Sequence, residues 1–162
     1  MQNQNLLQVC VLSILLISSN IAIAQNQKNF REDMAEWKQE RIAALTAPDG
    51  WLNLTGLYWL NPGKNRFGND ASNELVYQHR DMPKQAGYFV FENQQVNWVS
   101  NAGVQTKIKD SLIKKALLFE SGRNAAVQMG LGNLRWSIIQ REDKIGVRLR
   151  DLSAPILKKF KG

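Results

Sequence analysis

The chain has 162 residues, 21 basic against 14 acidic, a net charge of +7, one histidine and one cysteine. A site built from two histidines is therefore excluded, and with the lone cysteine at position 10 the rest of the chain has no disulfide, no thiolate nucleophile and none of the usual zinc sets. The basic residues, among them Lys107 and Lys109, Lys114-Lys115, Arg148 and Arg150, and Lys158-Lys159, favour anionic surfaces. They carry no interleaved aromatic pattern, so no nucleic-acid groove is expected.

Residues 1–24 read as a signal peptide. Leu6 to Ile17 is almost wholly apolar, Ser18-Ser19-Asn20 breaks the run, and Ala22-Ile23-Ala24 supplies the small residues that cleavage after Ala24 needs. The apolar run is too short for a comfortable membrane span, which takes about 20 apolar residues. Cys10 falls inside this leader, and Gln8-Val9 before it lacks the small residues of a lipidation site. The expected location is periplasmic or secreted, in a bacterial envelope, with no transmembrane helix once the leader is gone.

A polar lead, 25–28, precedes Asn29, which with Glu32 has the spacing of a capping box and predicts a helix over 29–46. Phe30, Met34, Trp37, Ala44 and Leu45 recur at helical spacing, and Pro48 stops the element. From there the period changes to two. Trp51 to Leu60 reads as a strand apolar on both faces, closed by Asn61-Pro62-Gly63. Further strands are predicted at Glu74 to Gln78, Tyr88 to Glu92, Gln95 to Val99, Val104 to Ile108, Ala116 to Glu120, Ala126 to Met129, Leu134 to Gln140 and Ile145 to Arg150. Short strands divided by polar turns and led by one helix predict a mainly β fold, an antiparallel β-sandwich over 48–155. The basic tail, 156–162, is expected to open a second β region.

The residues nominate little chemistry. His79 beside Arg80 and Asp81 reads as an exposed turn residue rather than a general base. Asp49, Asp70, Glu74 and Asp81 all fall where turns need them. Gly130-Leu131-Gly132 lacks the third glycine and following helix of a dinucleotide loop and reads as a turn. Trp51, Trp59, Trp98 and Trp136 alternate with aliphatic residues and are expected in the core rather than in a ligand platform. Asn53-Leu54-Thr55 matches a glycosylation triplet inside the predicted strand.

Trp37, Arg41, Leu45, Pro48-Asp49-Gly50-Trp51-Leu52, Leu54, Gly56-Leu57, Trp59-Leu60, Gly63 and Phe67-Gly68 resemble the opening signature of the bacterial family called domain of unknown function 1684. Asn73-Glu74-Leu75, Pro83, Gly87, Arg148, Arg150-Asp151, Pro155 and Phe160-Lys161-Gly162 also fit. The resemblance implies secreted or lipid-anchored bacterial proteins, without an established activity, and the chain is similar to the amino-terminal half of longer members. Phe67-Gly68, Asn73-Glu74-Leu75 and Ala125 to Ile139 are similar to strands of a forkhead-associated sandwich. Readers of phosphothreonine place an arginine directly after the glycine, whereas Asn69 follows Gly68 here.

The expected function is a non-catalytic extracytoplasmic binding or scaffold module, without cofactor, metal or catalytic residues. Its expected ligand contacts are Asp49, Arg66, Asn69 and Asp70, which offer acceptors, a bidentate donor and polar amides to an anionic surface or a peptide. The alternative is a hydrolase in which the carboxylates of Asp49 and Asp70 activate water, its site completed by a further carboxy-terminal region.

Overall fold

The computed structural model describes residues 29–123 and 127–162. The leader, the polar lead and the start of the strand predicted from Ala126 lie outside the described residues. Residues 29–46 are helical (α1), and this helix belongs to a compact unit distinct from the sandwich unit, Thr46–Phe160. Phe30, Met34 and Trp37 along its apolar stripe are exposed. No helix among the described residues is long and apolar enough to cross a membrane.

The sandwich is two sheets. One is six-stranded, in the order β1 (Leu54–Trp59), β11 (Lys144–Asp151), β10 (Leu134–Arg141), β9 (Gln128–Leu131), β6 (Lys107–Ile108) and β7 (Ser111–Leu112). The other is five-stranded, in the order β3 (Leu75–Val76), β2 (Gly63–Gly68), β4 (Gly87–Glu92), β5 (Gln95–Ser100) and β8 (Lys115–Glu120). The fold is thus mainly β, a sandwich preceded by one helix.

Alternation drives the layering, since residues two apart share a face. Leu134, Trp136 and Ile138 on β10 and Ile145, Val147 and Leu149 on β11 point into the core. Phe67 on β2, Phe89 on β4 and Val96 and Trp98 on β5 meet them from the other sheet. Trp136 packs edge-on against Phe67 at 5.7 Å and against Trp98 at 5.2 Å between ring centroids. Such edge contacts add about 0.5–1.5 kcal/mol each beyond the area they bury. The Trp98 indole donates to the hydroxyls of Ser100 (2.8 Å) and Thr106 (3.2 Å), so its polar edge is satisfied within the core.

Several elements depart from the sequence expectation. The strand predicted from Trp51 begins at Leu54, because 51–53 forms a turn in which Leu54 N–H bonds Trp51 C=O. β1 alternates half-buried and exposed positions instead of burying both faces. Trp51 is 69% exposed and Trp59 40%, whereas Trp98 and Trp136 are fully buried. The core expectation therefore holds for two tryptophans and fails for two. β1 is a sheet edge, and Leu57 and Trp59 on its outward face are exposed. β2 escaped the sequence reading because its inward positions are Asn65 and Phe67, so only one is apolar. Asn65 is buried because its amide donates to the carbonyls of Asn61 and Gly63 and accepts from Asn61 N–H. β3 keeps only two residues and pairs with β2 in parallel, the single parallel ladder among antiparallel ones. The tail, where a β region was expected to open, forms one helical turn, Pro155–Lys159 (α2), because Pro155 at its start is preset for helical φ.

Candidate functional site

Of the sequence-nominated ligand contacts, Asp49 lies in the turn before β1, Arg66 on β2, and Asn69 and Asp70 in the bend that follows it. Asn53 organises the first turn. It is fully buried, and its amide donates to Ala47 C=O and Pro48 C=O, each at 2.8 Å. Its carbonyl oxygen accepts from Arg150 Nη1 at 2.6 Å, and the same nitrogen reaches Gly50 C=O. Buried in this way, Asn53 cannot serve as a glycosylation acceptor. Asp49 stays exposed at the tip, and its charge is felt at Arg150. Burial and neighbouring Arg148 hold the Arg150 guanidinium below its ordinary range, and Asp49 opposes that shift.

The other three contacts are engaged by their own neighbours. Arg66 is clasped by Glu74, with Nε and Nη2 donating to both carboxylate oxygens at 2.7–3.2 Å and the Arg66 backbone N–H donating at 2.7 Å. The same clasp drives the Glu74 carboxyl down to about 2. Asn69 donates to His79 C=O and accepts from Gln78 through its own carbonyl. Asp70 accepts from Ser72 N–H at 2.9 Å, which holds its carboxyl below the usual range, and Lys84 adds to the same shift.

His79 is not the exposed turn residue expected. Its side chain is only 17% exposed and lies 3.4 Å through Nε2 from Asp151 Oδ2, 6% exposed at the end of β11. Nδ1 accepts from Asp81 N–H, which fixes the proton on the nitrogen facing Asp151. Ser153 donates both its backbone N–H and its hydroxyl to the other Asp151 oxygen, at 2.8 and 2.6 Å. Imidazole and hydroxyl therefore both point at one carboxylate. A nucleophilic serine would have to bond the imidazole itself, so this arrangement is a clasp of the loop after β3 onto the end of β11 rather than an activated nucleophile. No partner for His79 was legible in sequence because it lies in the loop after β3 while Asp151 ends β11, 72 residues further along the chain.

A second region was read in sequence only as scattered basic residues favouring an anionic surface. On the six-stranded sheet the charged strand residues are Lys107, Arg135, Arg141, Lys144, Arg148 and Arg150, and the one carboxylate is Asp151, which is buried. Arg150 and Arg135 are direct cross-strand partners, and Arg135 is in turn opposite Gly130, which is opposite Lys107. Like charges facing across strands are destabilising. Beside Arg135 opens a cavity of about 810 Å³, lined in part by Lys107, Lys109 and Arg135. The sequence signal was the alternation Lys107-x-Lys109 and Arg148-x-Arg150, which puts both members of each pair on one face if the segment is extended. Among the described residues no group of three or more His, Cys, Asp or Glu side chains stands together.

No family model matches the chain, and no curated protein matches it. Among solved structures it is similar to the FhaA FHA domain complexed with the intracellular domain of Rv3910, at 12% identity over 58% of this chain and 97% of that one, with a TM-score of 0.40. An FHA domain analysed for phosphothreonine-dependent interactions is similar at 12% identity over 58% of this chain and 92% of that chain, TM-score 0.40. The Rv1747 FHA-1 domain of Mycobacterium tuberculosis is similar at 10% identity over 59% of this chain and 94% of that one, TM-score 0.38.

Proposed function

We propose that this protein is a non-catalytic binding or scaffold module of the bacterial envelope, exported by its leader and related to the domain of unknown function 1684 family. One observation carries the reading. The polar groups between β1, β2 and β11 are spent on holding backbone, which leaves a stiff platform with Asp49 and Trp51 exposed at its tip. Ligand contact falls to that tip and to the outer faces of Arg66, Asn69 and Asp70. Preorganised loops of this kind favour binding because little is lost on ordering them.

Hydrolysis by paired carboxylates needs two carboxyls roughly 5–10 Å apart around one water. Asp70 is engaged by Ser72 within its own turn, and the turn that carries Asp49 is tied to β11 through Asn53 and Arg150. The deciding experiment screens peptides, glycans and ester and glycoside substrates side by side. The expected outcome is saturable binding that weakens in Asp49→Asn and Trp51→Ala, with no product formed. Turnover that disappears in Asp49→Asn would overturn the reading.

A further inference from the structure

We infer that the cavity between β6, β9 and β10 is an anion site for a small amphiphile, an oxyacid group joined to a short apolar body. This site is separate from the loop tip of the preceding section and does not rest on that reading.

The cations come first. Lys107, Lys109 and Arg135 line the cavity, against one lining carboxylate, Asp110. Among the described residues none of the three cations makes an ion pair, the ion pairs found there joining Arg66 to Glu74, His79 to Asp151 and Arg80 to Asp81. Arg135 is held in place without being neutralised. Its Nη1 donates to Gly132 C=O at 2.6 Å and to Leu134 C=O at 2.8 Å, which leaves Nε and Nη2 with no acceptor among the described residues. A guanidinium fixed along one edge has already lost its rotamer freedom, so its remaining donors bind an oxyanion at low entropic cost.

Two backbone features make room for this. Gly130, opposite Arg135, has no side chain, and a Cβ there would meet the Arg135 guanidinium at 3.2–3.3 Å. Lys109 sits in the two-residue turn between β6 and β7 with φ 53, the left-handed region in which Gly and Asn are the comfortable residues. A lysine in that position accepts backbone strain and contributes a third cation to the cavity. The apolar body follows from Ile108, Val127 and Leu131, which line the cavity and pack on the core. A volume of about 810 Å³ lies within the roughly 300–1,000 Å³ usual for small-molecule sites.

Octanoate and octyl phosphate are the probes, with octyltrimethylammonium and inorganic phosphate as comparators, titrated calorimetrically and followed by the amide resonances of Leu131 and Gly132. Saturable binding of an octyl anion is expected, stronger than that of phosphate alone and absent for the octyl cation. Tighter octyl phosphate points to phosphorylated ligands, and tighter octanoate to carboxylates. Arg135→Gln and Lys109→Asn should each weaken the octyl anion about tenfold, the value of roughly one charge-assisted hydrogen bond. Lys109→Asn suits its turn better than lysine, so its thermal midpoint should hold or rise while affinity falls. A misfolded variant would lower both. Lys64→Gln, which removes one charge from the other sheet, should keep full affinity. The inference is overturned if neither octyl anion saturates, if the octyl cation binds as well, or if Lys64→Gln weakens binding as much as Lys109→Asn.

Discussion

Asn53 shows how much one buried amide can hold. Its three bonds tie the chain after α1 to the far end of β11, joining it to Arg150, 97 residues away in sequence. Asn53→Ala leaves two carbonyls and a partly buried guanidinium without their partner, so stability should fall by about 2–4 kcal/mol in denaturant titrations. The Asp49 turn itself was legible, because Pro48-Asp49-Gly50 is turn chemistry. The Asn53–Arg150 link was not, since nothing local marks an asparagine as buried. Glu74 gives the pH dependence at this scale. Its folded value of about 2 lies below the ordinary 4.5, so the stability it contributes is fully present above 4.5. That contribution is lost as pH falls through the window from 4.5 to about 2. A carboxyl NMR titration should find the Glu74 midpoint near the bottom of that window, and Arg66→Gln should return it towards 4.5.

At the scale of elements, the central strands tolerate least. Gly87 on β4 sits so close to β5 that an added Cβ would collide with Val99 C=O and the Trp98 ring. Gly87→Ala should therefore cost more than about 3 kcal/mol, because backbone cannot yield as a flexible side-chain end can. A shift in the urea midpoint with an unchanged slope would confirm it. β4, β5, β10 and β11 could be read from sequence because their inward residues are apolar at every second position. β2 could not, since Asn65 takes an inward place that a hydrophobic pattern reserves for aliphatic residues. β6 was read only as the end of a longer strand predicted over Val104 to Ile108, and β7, two residues long, is below the length at which alternation can be recognised. The cationic cavity was hidden for the same reason, because it is built on those fragments and on the cross-strand register.

For the whole molecule, the two sheets are held together chiefly by rings. Trp136 is the central one, fully buried and in edge contact with two aromatics of the opposite sheet. Trp136→Ala should cost about 3–5 kcal/mol by the usual scale for large core truncations and should lower the thermal midpoint. Sharp near-ultraviolet dichroism should weaken with it while the far-ultraviolet β signal persists, since strands pair within each sheet independently of that ring. The helix should register only weakly in the same experiment, as it belongs to a different compact unit.

The pairing of β1 with β11 sets the order in which the chain can fold. Among the described strands β1 is made first and β11 last, so β1 waits for the neighbour it pairs with until nearly all of the sandwich has been made. Contacts between such distant segments close large loops and slow the search for the native state. Meanwhile Leu57 and Trp59 travel on a strand that carries no charge to discourage wrong partners. Released chains truncated just short of residue 144 should remain protease-sensitive around β1 and bind holdase chaperones, and chains that run past 151 should do neither. Protection of β1 before β11 is synthesised would show that something other than that strand shelters it.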